Sequence, residues 1–161
     1  MRKRPTLSHV DSSGKVRMVD VGDKPVTERL ATAVGFIRVS SVARRLVAKG
    51  LAKKGSPLEI ARIAGIQAAK RTSDLIPLCH PLALTSVAVD VIPVTGGYRI
   101  TATVRVAGKT GVEMEALTAV SVAALTIYDM LKAADKFMTI EAVCLVEKTG
   151  GAAGDFRRDP V

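Results

Sequence analysis

The sequence is short of cysteine and aromatic residues, and each shortage excludes a class of protein. Its 161 residues include no tryptophan, three phenylalanines, two tyrosines and two cysteines, Cys79 and Cys144. The cysteines do not form a Cys-x-x-Cys pair, so the chain is not a disulfide-stapled domain, and we expect a reducing compartment. With few aromatic side chains, the core has to be built from Ala, Val, Leu and Ile.

Long hydrophobic runs are also missing. The longest apolar stretch, Ala116 to Tyr128, is interrupted by Thr and Ser and is shorter than the ~20 residues that a membrane span needs. The basic start, Met1 to Pro5, is not followed by the apolar centre of a signal peptide. We therefore expect a soluble, cytoplasmic protein without a membrane partner.

Negative charge is scarce. The chain has 24 Lys and Arg against 15 Asp and Glu, which gives a net charge of +9. A basic surface attracts anions, so nucleotides and nucleic acids are candidate ligands, although the charge can also serve solubility alone. A nucleic-acid-binding module needs aromatic platforms for the bases. The exposed face of the third predicted strand offers Arg99 and Arg105 but no aromatic residue, which counts against that alternative.

Alternation and capping signals predict one α+β domain over residues 25–148, between a mobile arm (residues 1–24) and a flexible tail (residues 149–161). Strands are predicted over residues 27–39, 83–91, 98–106 and 138–148, and helices over residues 41–50, 57–71 and 110–134. This order favours a ferredoxin-like antiparallel sheet with helices packed on one face and one extra helix.

Two capping motifs mark predicted helix starts. Ser56-Pro57-Leu58-Glu59 combines a serine cap, a first-turn proline and a glutamate three residues after the cap. Thr110-x-x-Glu113 predicts a second capping box at the start of the longest helix. That assignment gives Glu113 a structural role, so Glu115 is the better candidate for chemistry.

The segment from Leu75 to Leu82 contains two prolines four residues apart and predicts a rigid, extended loop. Cys79 and His80 are neighbours in it, and neighbouring side chains of an extended chain point to opposite sides, so they cannot form a nucleophile–base dyad. A zinc site would have to recruit His9 and Cys144, and we expect no metal. A rigidly held His80 suits a ligand contact, with a structural histidine as the alternative.

The run Gly108-Lys109-Thr110 suggests a P-loop, because it follows a strand and opens a helix. The position where a P-loop needs its first glycine is Thr103, so the motif fails. A helix N-terminus near a lysine remains a generic anion site.

The longest helix carries polar residues on one side. At 100° per residue, Glu115, Thr118, Asp129 and Lys132 fall on roughly the same face. Asp129 and Lys132 are neighbours, usually a surface ion pair, but with apolar residues around them they could also act as an acid–base pair. Glu115 lies about 21 Å from Asp129 along the axis. Either an extended nucleotide contacts both ends, or a second chain completes each site.

Three further lysines are candidates for holding phosphate. Lys53 and Lys54 lie in a basic turn before a capped helix, and Lys148 precedes Gly150-Gly151. Solvated surface lysines are the alternative for all three.

Four runs of residues together resemble the cyclic pyranopterin monophosphate synthase family of molybdenum cofactor biosynthesis. They are Met18–Val21, Ala61–Lys70, Asp74–Leu82 and Gly108–Ala133, and the resemblance extends from about Leu7 to Phe156. By position, Asp129 matches the catalytic aspartate of the family, and Lys54 and Lys132 match lysines that the family needs for activity. The substrate-contacting positions of the family correspond to Leu78, Cys79, His80, Met114 and Glu115, and further pocket positions to Asp20, Arg29 and Lys148.

The resemblance implies a lyase that converts a cyclised dihydro-GTP into cyclic pyranopterin monophosphate and releases pyrophosphate, with no cofactor. It implies a homohexamer, a trimer of dimers, with sites at subunit interfaces. The family usually ends in Lys-Ser-Gly-Gly-Lys-Ser-Gly, whereas this chain has Ala152 in place of the second lysine. A role for that tail lysine therefore does not transfer to this chain.

Overall fold

The computed structural model describes residues 9–10, 13–51, 55–152 and 154–158. Within these ranges the elements are β1 (Thr27–Arg38), α1 (Ser41–Ala48), α2 (Pro57–Lys70), α3 (Thr72–Leu75), β2 (Ser86–Val94), β3 (Gly97–Gly108), α4 (Glu113–Leu131), β4 (Thr139–Thr149) and β5 (Phe156–Arg157). The second strand was predicted to begin at Ala83 and begins at Ser86.

The strands form one antiparallel sheet in the order β2-β3-β1-β4-β5. The first four strands in this order, with a helical crossover before β2 and another before β4, have the ferredoxin-like arrangement. Helix α4 packs on β1, β3 and β4, and α2 packs on β2 and on α4. The predicted α+β class is therefore confirmed, while the sequence did not indicate the short strand β5.

The side-chain alternation of β3 separates the core from the open face of the sheet. Tyr98, Ile100, Ala102, Val104 and Val106 are each 3% exposed or less. Arg99 and Arg105 lie on the opposite, exposed side, as predicted. That side is not free of aromatic residues, because Phe36 of β1 is paired in register with Arg99.

Helix α4 forms the centre of the core. Among the described residues it is the one helix whose length and composition would also suit a membrane span. Its inner face is buried against the sheet and α2, and Ala116, Ala119, Val120, Ala123 and Ile127 are all fully buried. This burial is that of a core helix.

The two predicted capping motifs have different outcomes. Ser56 caps α2 as expected, with its hydroxyl accepting from the Glu59 N–H at 3.4 Å. The capping box at Thr110 is wrong, because α4 begins at Glu113 and follows Val112 without a side-chain cap. The Glu113 carboxylate instead accepts from Lys148 Nζ at 3.1 Å.

Candidate active site

A cavity of about 690 Å³ lies where the N-terminal end of α4 meets β1, β4 and the loop before β2. This volume is in the range of pockets that hold small molecules. Seven of the eight predicted substrate-binding residues line it: Arg29, Leu78, Cys79, His80, Met114, Glu115 and Lys148. The fold therefore brings together segments that are far apart in the sequence.

Asp20 is the predicted binding residue that is not among those lining the cavity. Its neighbours Val19 and Val21 do line it, so its segment is at the right place. The Asp20 carboxylate accepts from the Gly22 N–H at 2.8 Å and closes a local turn. In the structure this side chain thus has a role in shaping the segment before β1.

Glu115 is a buried acid in the first turn of α4. It is 4% exposed. Burial raises its pKa from the ordinary 4.5 to about 6, and the charge of Glu113 adds to this rise. A carboxyl with such a pKa exchanges a proton near neutral pH, which is the requirement for general acid–base chemistry.

Cys79 and His80 occupy the loop between α3 and β2, as predicted, and serve different purposes. Burial, followed by the charge of Glu115, raises the pKa of the Cys79 thiol, which disfavours the nucleophilic thiolate. The His80 Nε2 lies 2.9 Å from the carbonyl oxygen of Val19. Because a carbonyl only accepts, Nε2 carries the proton in this contact, and the ring holds the segment before β1.

A second side chain holds the same segment. Lys109, at the end of β3, donates from Nζ to the Gly22 carbonyl oxygen at 2.6 Å. We call residues 16–26 the strap; it is held against the cavity at Val19 by His80 and at Gly22 by Lys109. Lys24 of the strap also lines the cavity. The sequence analysis did not identify Lys24 as a site residue, and it kept Lys109 only as the lysine of a generic anion site at a helix N-terminus.

Arg29 of β1 reaches the cavity between two glycines. Its Nε donates to the Gly108 carbonyl oxygen at 2.9 Å. Its guanidinium lies against Gly151, where a Cβ atom would overlap Nη1, and the backbone of Gly151 has a φ of +83°. Glycine is therefore favoured at position 151 by the backbone conformation, and its missing side chain leaves space for the Arg29 guanidinium.

Glu113 is the functional candidate that the sequence argument set aside. Its ion pair with Lys148 of β4 lines the cavity, with the two side chains 30% and 24% exposed. A Cβ atom at Gly111 would overlap the carboxylate, so the missing side chain there leaves room for Glu113. A partner 35 residues away cannot be deduced from the spacing of a capping box.

Two of the three predicted catalytic residues, Asp129 and Lys132, do not line this cavity. Asp129 and Lys132 form an ion pair at the other end of α4, with Nζ to Oδ1 at 2.6 Å and side chains 58% and 56% exposed. The hydrogen bond to Asp129, followed by its charge, raises the pKa of Lys132. The main cause of the Lys132 shift is therefore its partner in the ion pair and not burial. Lys54, like Lys53, lies outside the described residues.

No group of three or more His, Cys, Asp or Glu side chains that could hold a metal ion occurs in the part of the chain that the structure describes. The cavity has instead a cationic wall, formed by Lys24, Arg29, Lys109 and Lys148, and an acidic side formed by Glu113 and Glu115. Such a wall can bind an anion while the buried acid exchanges a proton with another part of the same ligand.

Comparison with known proteins agrees with this arrangement. The sequence model of the MoaC family matches residues 18–151. A cyclic pyranopterin monophosphate synthase of Parvibaculum lavamentivorans is 57% identical over 153 residues, which cover 94% of this chain and 96% of the relative. Another protein of that name, from Methylobacterium sp. (strain 4-46), is 57% identical over 157 residues, covering 96% and 98%. The chain belongs to the MoaC family.

Proposed function

We propose that this protein is a cyclic pyranopterin monophosphate synthase of molybdenum cofactor biosynthesis. It is a cytoplasmic lyase that converts a cyclised dihydro-GTP into cyclic pyranopterin monophosphate and pyrophosphate. The observation that carries the proposal is the convergence of seven positions of the family's pocket on one cavity with a cationic wall. The membership of the family supplies the reaction.

The cationic wall suits the triphosphate of this substrate. Arg29 can bind phosphate oxygens in a bidentate manner, and Lys24, Lys109 and Lys148 add point charges. When pyrophosphate leaves, negative charge grows on its oxygens, and cations already in place stabilise that charge. Because Arg29 Nε already donates to the Gly108 carbonyl oxygen, little reorganisation is needed at that moment.

The apolar part of the cavity lining suits the purine-derived part of the substrate. Leu78 and Met114 provide apolar surface, and Glu115 follows Met114 on α4. With a pKa of about 6, Glu115 is mostly ionised at neutral pH and can accept a proton and return it. The rearrangement of the ring nitrogens and the ribose-derived carbons requires such proton transfers.

Asp129 and Lys132 enter the proposal as residues of a neighbouring subunit, and Lys54 enters it as a cation for the triphosphate. Asp129 lies about 21 Å along α4 from Glu115, too far for one chain to place both around the same reacting atoms. An exposed Asp–Lys pair can be brought to the cavity of a second copy, where it would be desolvated and act as acid and base.

Exposed apolar side chains support assembly into the homohexamer, a trimer of dimers. Large hydrophobic residues with more than half of their surface exposed include Ile63, Leu75, Leu125 and Phe137. Phe137, at 92% exposed, follows α4 closely and lies near Lys132 in the sequence. Apolar surface of this kind next to a charged pair is typical of a surface that a partner covers.

The experiment that tests the function is incubation with the cyclised dihydro-GTP, with pyrophosphate and the pterin product assayed separately. We expect both products in equal amounts. A folded protein that forms neither would contradict the proposal. The nucleic-acid-binding alternative is not supported by the family assignment, and it would show as a salt-dependent shift on long RNA without turnover.

A further inference from the structure

We propose that Glu113 is a positioning residue that competes with phosphate for Lys148 and so limits how tightly the site holds pyrophosphate. The inference rests on the proposed function, in which Lys148 binds a phosphate of the substrate. It gives a functional role to Glu113, a carboxylate in the lining of a cavity that we propose to bind a polyanion.

The Glu113 carboxylate is held in a fixed position. Glu113 is the first residue of α4, where the helix dipole favours a negative charge. The carboxylate lies against the backbone of Gly111, in space that any larger residue at position 111 would fill. The carboxylate is therefore part of the cavity wall.

Lys148 is the mobile member of the pair. Its ammonium group, on a flexible four-carbon stem, donates to Glu113 Oε1 at 3.1 Å. Both side chains are largely shielded, at 24% and 30% exposed, so their attraction is less screened than that of a surface pair. Arg29 and Lys109 donate instead to neutral carbonyl oxygens. Among these three cations, Lys148 is the one that a carboxylate already neutralises.

A phosphate that binds Lys148 has to share the ammonium with Glu113 or displace the carboxylate from it, and it meets the repulsion of the same negative charge. Both effects weaken the binding of the substrate and of pyrophosphate. In many enzymes product release limits kcat. A counter-charge that weakens the hold on pyrophosphate would then speed release, at the expense of a higher KM.

The test is the binding of inorganic pyrophosphate to the full chain, measured by titration calorimetry at fixed ionic strength. Glu113→Gln keeps the shape of the side chain and removes its charge, so we expect about tenfold tighter binding of pyrophosphate. Glu113→Asp is the matched control that keeps the charge, and its affinity should stay close to that of the wild type. In turnover, Glu113→Gln should lower kcat and KM together, a pattern that loss of structure alone does not produce.

A second variant allows the same test if Glu113→Gln does not fold. Gly111→Ala should push the carboxylate away from Lys148 without changing any charge, so it should also bind pyrophosphate more tightly. Unchanged or weaker binding in Glu113→Gln overturns the inference, and if that variant does not fold, the same titration on Gly111→Ala decides. If the wild type forms no pterin product but Glu113→Gln still tightens pyrophosphate binding, the proposed function fails and the role of Glu113 stands. If the wild type is active and the affinities are equal, only the role of Glu113 falls.

Discussion

Glu115 links the stability of the fold to the chemistry of the cavity. The side chain is 4% exposed, and its pKa is raised from 4.5 to about 6, mainly by burial. The folded state therefore binds this proton more tightly than the unfolded state. The sign of its contribution follows: Glu115 does not destabilise the fold below pH 4.5, begins to do so as pH rises toward 6, and costs about 2 kcal/mol above that.

Glu115→Gln should remove this cost. We expect the free energy of unfolding to rise by about 2 kcal/mol at about pH 8, with little gain at about pH 4, where the wild-type carboxyl is protonated in both states. Denaturant titrations at the two pH values measure this difference. Turnover should fall at the same time, because the amide cannot exchange a proton. An equal gain at both pH values would show that the charge is not what destabilises the wild type.

Gly151 is the second residue whose effect on ligand binding can be measured separately from its effect on stability. Gly151→Ala should displace the Arg29 guanidinium and raise the KM for substrate and the Kd for pyrophosphate by about tenfold, the value of a lost charge-assisted contact. Alanine at a positive φ also strains the backbone. Gly14→Ala is the matched control, because Gly14 has a φ of +81° but no neighbouring atom within 4 Å of its Cβ position.

The two glycine variants separate strain from lost contact. Both should lower the thermal midpoint by a similar amount, whereas only Gly151→Ala should weaken pyrophosphate binding. If Gly14→Ala weakened binding as much, the effect at position 151 would be one of general stability and not of Arg29.

At the scale of elements, the strap is held by two side chains from different parts of the fold. His80 comes from the loop before β2 and Lys109 from the end of β3, and both contact carbonyl oxygens of the strap. Because both hydrogen bonds go to backbone atoms, they hold the segment whatever side chains it carries. We therefore expect the strap to open when either contact is removed.

His80→Ala and Lys109→Ala should each release the strap. We expect trypsin to cleave after Arg17 several-fold faster in either variant, because proteolysis follows the population of the opened segment. Lys136→Ala, an exposed lysine near the other end of α4, is the matched control and should leave the rate unchanged. Addition of pyrophosphate should slow cleavage in the wild type if the ligand fills the cavity under the strap. Cleavage that is equally slow in all variants would mean that these contacts do not hold the segment.

The elements also show where sequence reasoning succeeds and where it stops. The two faces of strand β3 were predicted correctly over residues 98–106. One face packs in the core and the other does not, so apolar and polar residues alternate in the sequence. The start of α4 was wrong, because the expected partner of Glu113 was its own helix terminus and the actual partner is Lys148 on another strand. Lys24 lines the cavity because of the path that the strap takes across the fold. Hydrophobic periodicity predicts helices and strands but not the path of such a segment.

At the scale of the whole molecule, the resemblance to a family predicted eight substrate-binding positions, and the cavity brings seven of them together. The proposed catalytic pair lies outside the cavity of its own chain. Asp129 and Lys132 lie at the opposite end of the same helix, and a rigid helix cannot bring its two ends together. Only symmetry between copies can place the pair of one subunit at the cavity of another.

A mixing experiment tests this sharing of sites. Asp129→Ala leaves the cavity intact, and Lys148→Ala leaves the Asp129–Lys132 pair intact, so each homo-oligomer should be inactive. In co-expressed mixtures at equal amounts, about one site in four would combine an intact cavity with an intact pair, and activity should return to about a quarter of that of the wild type.

Glu115→Ala mixed with Lys148→Ala is the control, because both changes affect the same cavity and no arrangement of subunits restores it. Light scattering of each mixture establishes that the oligomers form. Because a site completed within one chain gains nothing from mixing, failure of the first mixture to recover activity, with oligomers of normal size, would place Asp129 outside any shared site.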